Sequence, residues 1–200
     1  MTKVISGESK DVDDNDSENW LTETLSKILK AYKPGNIFNA DETALFFQCL
    51  PQKTLTFKKE KCFGGKQRKV RLAVMLGANM NGHQKLKPLV IGRSKNPRCF
   101  KAAKSLEVDY IFNKKSWMTS EICSKVAQTY DCSVAKLLSF LIIVPPPKEI
   151  NQKLKNIAVF YLPPNTTSKL QAMDQGVMKN FKIHYRKRIV RKVITVLENN

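Results

Sequence analysis

The sequence predicts an α/β fold in which a mixed β-sheet is flanked by helices, and three observations support this prediction. Two apolar runs on either side of an Asn-Gly pair indicate an antiparallel hairpin. Two continuous apolar runs later in the chain are typical of buried parallel strands, and segments with helical periodicity alternate with them. The 200 residues, with 42% hydrophobic content, suffice for one domain with a sizeable core, or for one domain that lacks a piece.

The chain opens with a strongly acidic stretch. Residues 8–18 (ESKDVDDNDSE) lack apolar periodicity, so residues 1–18 are predicted to be a flexible acidic lead-in. Their charge would also suit a solvated cap over a basic surface. The domain itself is expected over residues 19–200.

A short amphipathic helix is predicted next, followed by the first strand. Pro34-Gly35 ends the helical pattern, a strand follows at 36–40, and Asp41 comes directly after it. The helix is indicated by apolar residues at helical spacing: Trp20, Leu21, Leu25, Ile28, Leu29 and Tyr32.

The middle of the chain contains the predicted hairpin. Residues 71–78 (RLAVMLGA) and 87–92 (KPLVIG) are the strands, and Asn81-Gly82 marks the turn between them. Residues 93–115 are predicted to be a basic, loop-rich connection. Thr119 is a candidate N-cap for a helix whose inward side carries Ile122, Val126 and Tyr130.

The last third supplies the predicted parallel strands and a long helix. The strands are residues 137–144 (LLSFLIIV) and 157–162 (IAVFYL), with a short helix predicted at 148–154. A helix is predicted from Met173 to the end of the sequence, because apolar residues recur every four positions: Val177, Phe181, Tyr185, Ile189, Val193 and Leu197.

The charge distribution points to a polyanionic partner. The sequence has 35 Lys and Arg against 17 Asp and Glu, and after Glu18 the balance is 33 basic to 11 acidic residues. A compact fold pays for such an excess in self-repulsion, so DNA contact through the phosphate backbone is predicted. The candidate residues are Lys58, Lys59, Lys66, Arg68, Lys69, Lys179, Lys182, Arg186, Lys187 and Arg188. For any single one of them, a solvated surface position is the simpler interpretation.

Several other classes are not favoured by the sequence. Five cysteines without C-x-x-C spacing and two histidines indicate reduced thiols rather than a disulfide framework or a zinc site. The longest apolar run is too short to span a bilayer, and no secretory signal pattern is present. The glycines lack phosphate-loop spacing and are predicted to be turns.

Several motifs occur together and in a fixed order: NADET at 39–43, KVRLAVMLGANMNGHQKLKPLVIGRSKNPRCFK at 69–101, SWMTSE at 116–121 and FYLPPNTTSKLQAMDQGVMKNFKIHYR at 160–186. In these motifs the sequence resembles the DDE superfamily endonuclease domain of pogo and Tigger transposases. Domesticated relatives of that family include jerky-like proteins and centromere protein B. The resemblance runs from about Glu8 to the last residue.

The resemblance implies an RNase H-like fold and DNA cleavage and joining that depends on Mg²⁺ or Mn²⁺. Two divalent ions activate the attacking oxygen and stabilise the leaving oxygen, and hard cations of this kind require oxygen ligands from converging carboxylates. Carried over by motif, the first metal-binding and catalytic acid is Asp41 and the third is Asp174 of the MDQG motif.

The second acid of the family pattern is missing from this sequence. The family places it after a buried strand, in a D-N-x-x-x-H motif, whereas this chain has FLIIVPPPKEI at 140–150, with Ile142 at the position of the Asp. Glu149 and Asp131 are poorly placed to replace it. The expectation is therefore a domain that is incomplete or partly degenerate, binds metal weakly or not at all, and is catalytically inactive.

A local frameshift is one hypothesis for this loss. GAT-AAT-TGT encodes Asp-Asn-Cys, and the same bases read one position later encode the Ile-Ile-Val found at 142–144. Resequencing the gene across codons 136–150 tests this hypothesis.

Three functions stay open from the sequence. The first is an inactive, transposon-derived nuclear domain that binds DNA, and the second is an active divalent-metal-dependent endonuclease or transposase. The third is a chromatin protein-interaction module. No helix-turn-helix module is recognised, and the last helix could be truncated. Trp117 is predicted to be a core residue rather than a platform for base stacking.

Overall fold

A computed structural model describes residues 14–47, 70–101, 103–133, 138–142, 154–163 and 166–199. Six strands form one sheet in the order β4-β3-β2-β1-β5-β6. Their bounds are β1 (Ile37–Phe46), β2 (Arg71–Asn79), β3 (Leu89–Gly92), β4 (Asp109–Phe112), β5 (Leu138–Ile142) and β6 (Ile157–Tyr161). The β1–β2 and β2–β3 pairs are antiparallel and the other three are parallel. The predicted mixed sheet is confirmed.

Helices lie before, between and after these strands. They are α1 (Asp14–Asn19), α2 (Ser26–Ala31), α3 (Ser120–Ser133), α4 (Thr167–Leu170) and α5 (Val177–Glu198). A π-helical turn, Trp20–Leu25, joins α1 to α2, and 3₁₀ turns form at Pro34–Asn36, Arg98–Phe100 and Ala172–Asp174.

The first helical segment starts earlier than the sequence predicts. It begins at Asp14, so residues 14–18 are helical rather than part of a flexible lead-in, and residues 1–13 lie outside the described residues. The segment is fixed to the sheet by Trp20, whose Nε1 donates a hydrogen bond to the Tyr161 carbonyl at 3.1 Å, and by Ile28, which is buried.

The predicted hairpin forms, and its turn has a clear physical cause. The Gly82 N–H donates to the Asn79 carbonyl at 2.8 Å, and Gly82 has φ 71°, a conformation that glycine adopts without strain. Strand β4 was not predicted. It is four residues long and pairs with β3 from Leu89↔Asp109 to Gly92↔Phe112, so its partner lies well upstream and no local pattern marks it.

Strand β1 is longer than predicted, which changes the position of Asp41. The prediction ended the strand at Ala40, whereas β1 stays paired with β2 from Phe38↔Asn79 to Phe46↔Arg71. On the other side of β1, its pairs with β5 run only from Ile37↔Ser139 to Asn39↔Leu141. Asp41 therefore lies within β1, just past its last pair with β5.

Helix α3 covers one face of the sheet and builds the main core. The Thr119 Oγ1 accepts a hydrogen bond from the Ile122 N–H at 3.3 Å, as expected of the predicted N-cap. Fully burying a large apolar side chain contributes about 1.5–3 kcal/mol. The core residues are Phe38, Ala40, Ala73, Met75, Leu89, Ile91, Met118, Ile122, Cys123, Ile157 and Val159, with Val126 and Tyr130 packed against them.

The C-terminal helix begins later than predicted. Residues Ala172–Asp174 form a 3₁₀ turn, and Gly176 has φ 121°, which interrupts the helix before Val177. Asp174 therefore lies on the turn before α5 and not within the helix. Much of the apolar surface of α5 is solvent-exposed, including Val193 at 52% and Leu197 at 71%, whereas Met178 is buried.

Some predictions lie outside the described residues. They are the part of the Lys-rich loop from position 48 to Lys66, positions 137 and 143–144 of the predicted strand 137–144, and positions 148–153 of the predicted short helix. The thiols of Cys99 and Cys123 are free.

Candidate metal and nucleic-acid site

The structure brings Asp41 and Asp174 into contact. Asp41 comes from the middle of the sheet, Asp174 comes from the turn before α5, and their carboxyl groups lie within hydrogen-bonding range of each other. Because the two residues are 133 positions apart in the chain, only the folded sheet and the packing of the turn against it can create this contact.

The environment of Asp41 disfavours its negative charge. Burial is the larger cause and the nearby Asp174 carboxylate the second, and together they raise the pKa of Asp41 to about 6. Hydrogen bonds from the Glu42 N–H, at 2.7 Å, and from the Gln171 side chain oppose this increase. Two acids in hydrogen-bond contact repel each other when both are ionised, and a bound cation relieves that repulsion.

Two amide side chains surround the acids. Asn39 Nδ2 donates to Gln171 Oε1 at 2.6 Å, and Asn39 Oδ1 accepts from the Met173 N–H at 3.1 Å. Gln171 is fully buried, and its Nε2 donates to the Ala40 carbonyl at 3.4 Å. Sequence analysis missed both residues, although each stands within three positions of an acid in one of the family motifs.

Strand β5 brings the position of the missing acid to the same region. Its backbone pairs with β1 as far as Asn39↔Leu141, and Ile142, the next residue, pairs with Tyr161 of β6. The backbone of Ile142 therefore lies beside the strand that carries Asp41. Within the described ranges, no group of three or more His, Cys, Asp or Glu side chains could hold a metal ion.

The two acids fit one hard divalent cation better than two. Carboxylate oxygens are the ligands that Mg²⁺ and Mn²⁺ accept, and Mg²⁺ is commonly bound through one or two carboxylates with water as the remaining ligands. A pair of ions about 3.5–4 Å apart needs more oxygen donors than Asp41 and Asp174 supply.

The other nearby acids have structural contacts. Glu42 points to the opposite face of β1 from Asp41, because side chains alternate along a strand, and both of its carboxylate oxygens lie 3.2 Å from the Met118 nitrogen. Asp131, at the end of α3, accepts hydrogen bonds from the Lys155 and Asn156 N–H groups. Glu149 lies outside the described residues.

The prediction that Trp117 is a core residue is wrong. Its side chain is 52% exposed, and the guanidinium carbon of Arg71 lies 4.4 Å from the centre of the ring system. The core position belongs to the next residue, Met118, which is 4% exposed, after Ser116 turns the chain with φ 47°. Trp117 is therefore partly open to solvent, with Arg71 packed over its ring.

Half of the predicted DNA-contacting residues lie on α5. Lys182 is half-buried, the other four are exposed, and Lys179, Lys182 and Arg186 share one face because they are three and four positions apart. The ion pairs Lys87–Asp109 and Lys125–Glu121 lie elsewhere in the described part of the chain. Lys58, Lys59, Lys66, Arg68 and Lys69 are outside the described residues, so their placement stays a prediction.

No helix among the described segments has the length and apolar content required to cross a membrane.

Comparison with known proteins identifies relatives of this chain. A sequence model of the DDE superfamily endonuclease family matches residues 69–200. Tigger transposable element-derived protein 4 of Mus musculus is 37% identical over 185 residues, which cover 90% of this chain and 36% of that protein. Major centromere autoantigen B of Homo sapiens is 30% identical over 178 residues, which cover 86% and 28%.

Solved structures of Mos1 transposase have a similar fold. The mariner paired end complex with Mn gives a TM-score of 0.60 at 11% identity, covering 98% of this chain and 59% of that chain. The Mos1 strand transfer complex gives 0.58 at 11% identity, covering 92% and 52%. At this identity the likeness concerns the fold, which is a partial RNase H-like α/β fold.

The family assignment follows from the extent of these matches. The chain spans 36% of the Tigger-derived protein and 28% of a Homo sapiens Jerky protein homolog, to which it is 32% identical over 161 residues covering 72% of this chain. The family match covers well over half of the chain, and the mixed sheet with its pair of acids agrees with it. This chain belongs to the DDE superfamily endonuclease family and contains a pogo/Tigger-type, transposase-derived domain.

Proposed function

We propose that this domain binds DNA through the phosphate backbone in the nucleus and does not cleave it, and that Asp41 and Asp174 form a reduced site for one divalent ion. The observation that carries the proposal is the contact between Asp41 and Asp174 with no third metal-binding side chain beside them among the described residues. The missing acid at Ile142 supports the same conclusion.

The basic face of α5 supports the DNA-binding part of the proposal. Lys179, Lys182 and Arg186 begin five residues after Asp174, and α5 rises about 1.5 Å per residue, so the three charges line the first turns of the helix beyond the acid pair. Phosphate contacts of this kind give affinity without sequence preference. The match to the DDE superfamily endonuclease family adds support for DNA as the partner.

The acid pair explains why metal binding would survive in a weakened form. When bound, a divalent ion would stabilise negative charge on a phosphate oxygen, and Asp41 and Asp174 are the residues that would hold it. Losing a direct ligand should reduce metal affinity by more than the roughly 10–100-fold typical of lost supporting residues.

Salt dependence of binding tests the DNA contact. We expect the chain to bind random duplex DNA at low salt, with a steep decrease in affinity as salt rises. Changing Lys179, Lys182 and Arg186 to Gln should reduce the slope of log K against log salt by up to about 3, near 0.9 for each phosphate that is no longer neutralised. Changing Lys27, Lys30 and Lys33 to Gln removes the same charge from the N-terminal segment and is the matched control.

Equal effects of the two triple variants would mean that net charge, not the α5 face, attracts DNA. If the unmodified chain does not bind DNA at low salt, a protein-interaction module becomes the better interpretation.

A second candidate, an active endonuclease, is favoured by the intact contact between Asp41 and Asp174. Supercoiled plasmid incubated with the chain and Mn²⁺ separates the two candidates. We expect no nicking. Nicking that Asp41→Ala abolishes would refute the inactive assignment.

A further inference from the structure

We propose that the Asn39–Gln171 amide pair consists of positioning residues that hold the turn carrying Asp174 against β1, so that the two acids converge. This inference rests on the proposed function, because it concerns the acids that are assigned there to a divalent ion. Neither amide is proposed to touch the metal or the DNA.

The hydrogen bonds of the amide pair connect the two chain segments at the acids themselves. Asn39 lies two residues before Asp41 on the same face of β1, and it binds both the Gln171 side chain, at 2.6 Å, and the Met173 N–H, at 3.1 Å. Met173 immediately precedes Asp174. Gln171 in turn reaches back to the Ala40 carbonyl, at 3.4 Å, and to the Asp41 carboxyl group.

The turn needs such support for a physical reason. Its internal hydrogen bonds, from the Asp174 N–H to the Gln171 carbonyl at 3.1 Å and from the Gln175 N–H to the Ala172 carbonyl at 3.2 Å, do not reach β1. The turn is also separated from α5 by Gly176, which has φ 121°. The amide pair supplies hydrogen bonds that join the turn to β1.

The burial of Gln171 makes its role specific. The side chain is fully buried, so its amide cannot replace its hydrogen bonds to Asn39, Ala40 and Asp41 with hydrogen bonds to water. Removing one partner of a buried hydrogen bond leaves the other unsatisfied, and the surrounding structure then has to rearrange. The segment free to move is the short turn, because β1 is held by strands on both sides.

Asn79 provides a matched control for Asn39. Asn79 is a buried Asn on strand β2 of the same sheet. Its Nδ2 donates to the Gly35 carbonyl at 3.1 Å, and its Oδ1 accepts from the Gln84 N–H at 3.0 Å. Like Asn39, Asn79 uses its side chain to hold two partners by hydrogen bonds. Unlike those of Asn39, its partners, Gly35 and Gln84, are not next to Asp41 or Asp174.

The experiment compares Asn39→Ala, Gln171→Ala, their double variant and Asn79→Ala in the whole chain. Deuterium uptake of the amides at 172–176 is measured without metal, and Mn²⁺ binding is measured from the electron paramagnetic resonance signal of free Mn²⁺. We expect Asn39→Ala and Gln171→Ala to speed exchange at 172–176 roughly tenfold and Asn79→Ala to leave it unchanged. Mn²⁺ affinity should fall about 10–100-fold in the first two variants.

The double variant should bind Mn²⁺ no more weakly than the weaker-binding single variant, because the two amides act as one unit. If Asn39→Ala and Gln171→Ala match Asn79→Ala at 172–176, the proposal is wrong. If one of them does not fold, the other decides. If the unmodified chain binds no Mn²⁺, the one-ion site of the proposed function is refuted, and the exchange measurement alone decides on the amide pair.

Discussion

Two acids of this domain, Asp41 and Asp131, lie in opposite electrostatic environments. Asp131 is 7% exposed at the end of α3, where burial raises the pKa of its carboxyl group, but hydrogen bonds from the Asn156, Lys155 and Ile157 N–H groups outweigh burial and hold the pKa below its ordinary 3.8. Asp41 has one backbone donor and faces a second carboxylate, and its pKa rises to about 6.

The ionised form of Asp131 stabilises the folded state, whereas the ionised form of Asp41 destabilises it. The charge of Asp131 satisfies backbone donors between α3 and β6, so ionisation strengthens the native state. The charge of Asp41 is opposed by burial and by Asp174, and a bound cation would offset that cost. A costly, unneutralised carboxylate in a folded domain is typical of a functional site.

The largest expected effect comes from Asp131→Asn. An amide oxygen accepts less strongly than a carboxylate and cannot serve three backbone donors equally, so the free energy of unfolding at pH 7 should fall. Because the folded pKa lies below 3.8, the loss should be full above pH 3.8 and should shrink as the pH falls through the folded value. Urea unfolding at pH 7 and pH 3 measures it. Equal midpoints at pH 7 would contradict a stabilising role.

Asp41→Asn should have the opposite sign. It removes the buried charge, so the free energy of unfolding at pH 7 should rise by about 1–2 kcal/mol after allowance for solvent screening. The folded pKa of about 6 lies above the ordinary 3.8, so wild-type stability falls as the pH rises between these values. The advantage of the variant should be full above pH 6 and absent below 3.8. Urea unfolding across this range tests the prediction, and a variant that is less stable than wild type at pH 7 would contradict it.

Asp174→Asn should have a smaller effect, because it removes one of the two causes of the raised pKa. We expect the pKa of Asp41 to fall from about 6 but to stay above 3.8, since burial, the larger cause, remains. Carboxyl ¹³C chemical shifts followed against pH report the change directly. An unchanged titration would mean that the two acids do not interact in solution.

Glu42→Gln should have the smallest effect on stability. Burial raises the pKa of Glu42, opposed by the Met118 N–H and by Arg71, so this acid lies between the two extremes. In the wild-type chain the Met118 nitrogen lies 3.2 Å from both Glu42 oxygens. The side-chain oxygen of Gln can still accept this hydrogen bond. Thermal unfolding of Glu42→Gln should therefore resemble wild type, whereas Glu42→Ala should unfold at a lower temperature; similar losses in both would assign the role to charge.

Local patterns predicted much of the fold because several elements carry their own signals. Asn81-Gly82 fixed the hairpin through backbone conformation, and Thr119 marked the start of α3 through its cap. The length of β1 and the existence of β4 depend on partner strands instead, so neither could be read from its own residues.

The candidate site divides in the same way. The motifs identified Asp41 and Asp174, but they gave no sign that Asn39 and Gln171 join the two segments. The prediction for Trp117 was also wrong, because in the segment that precedes α3 the buried position belongs to Met118 and not to its neighbour Trp117.

The α/β class and the basic charge follow from residue type and short-range spacing, whereas Asp41 and Asp174 are candidate site residues because of their places in the family motifs. Folding brings Asp41 and Asp174 together, gives Asp131 its backbone donors and places the amide pair between the two acid-bearing segments. The physical reason is that a carboxylate's energy depends on burial and on the donors and charges around it, and residues far away in the chain supply these through strand register and packing.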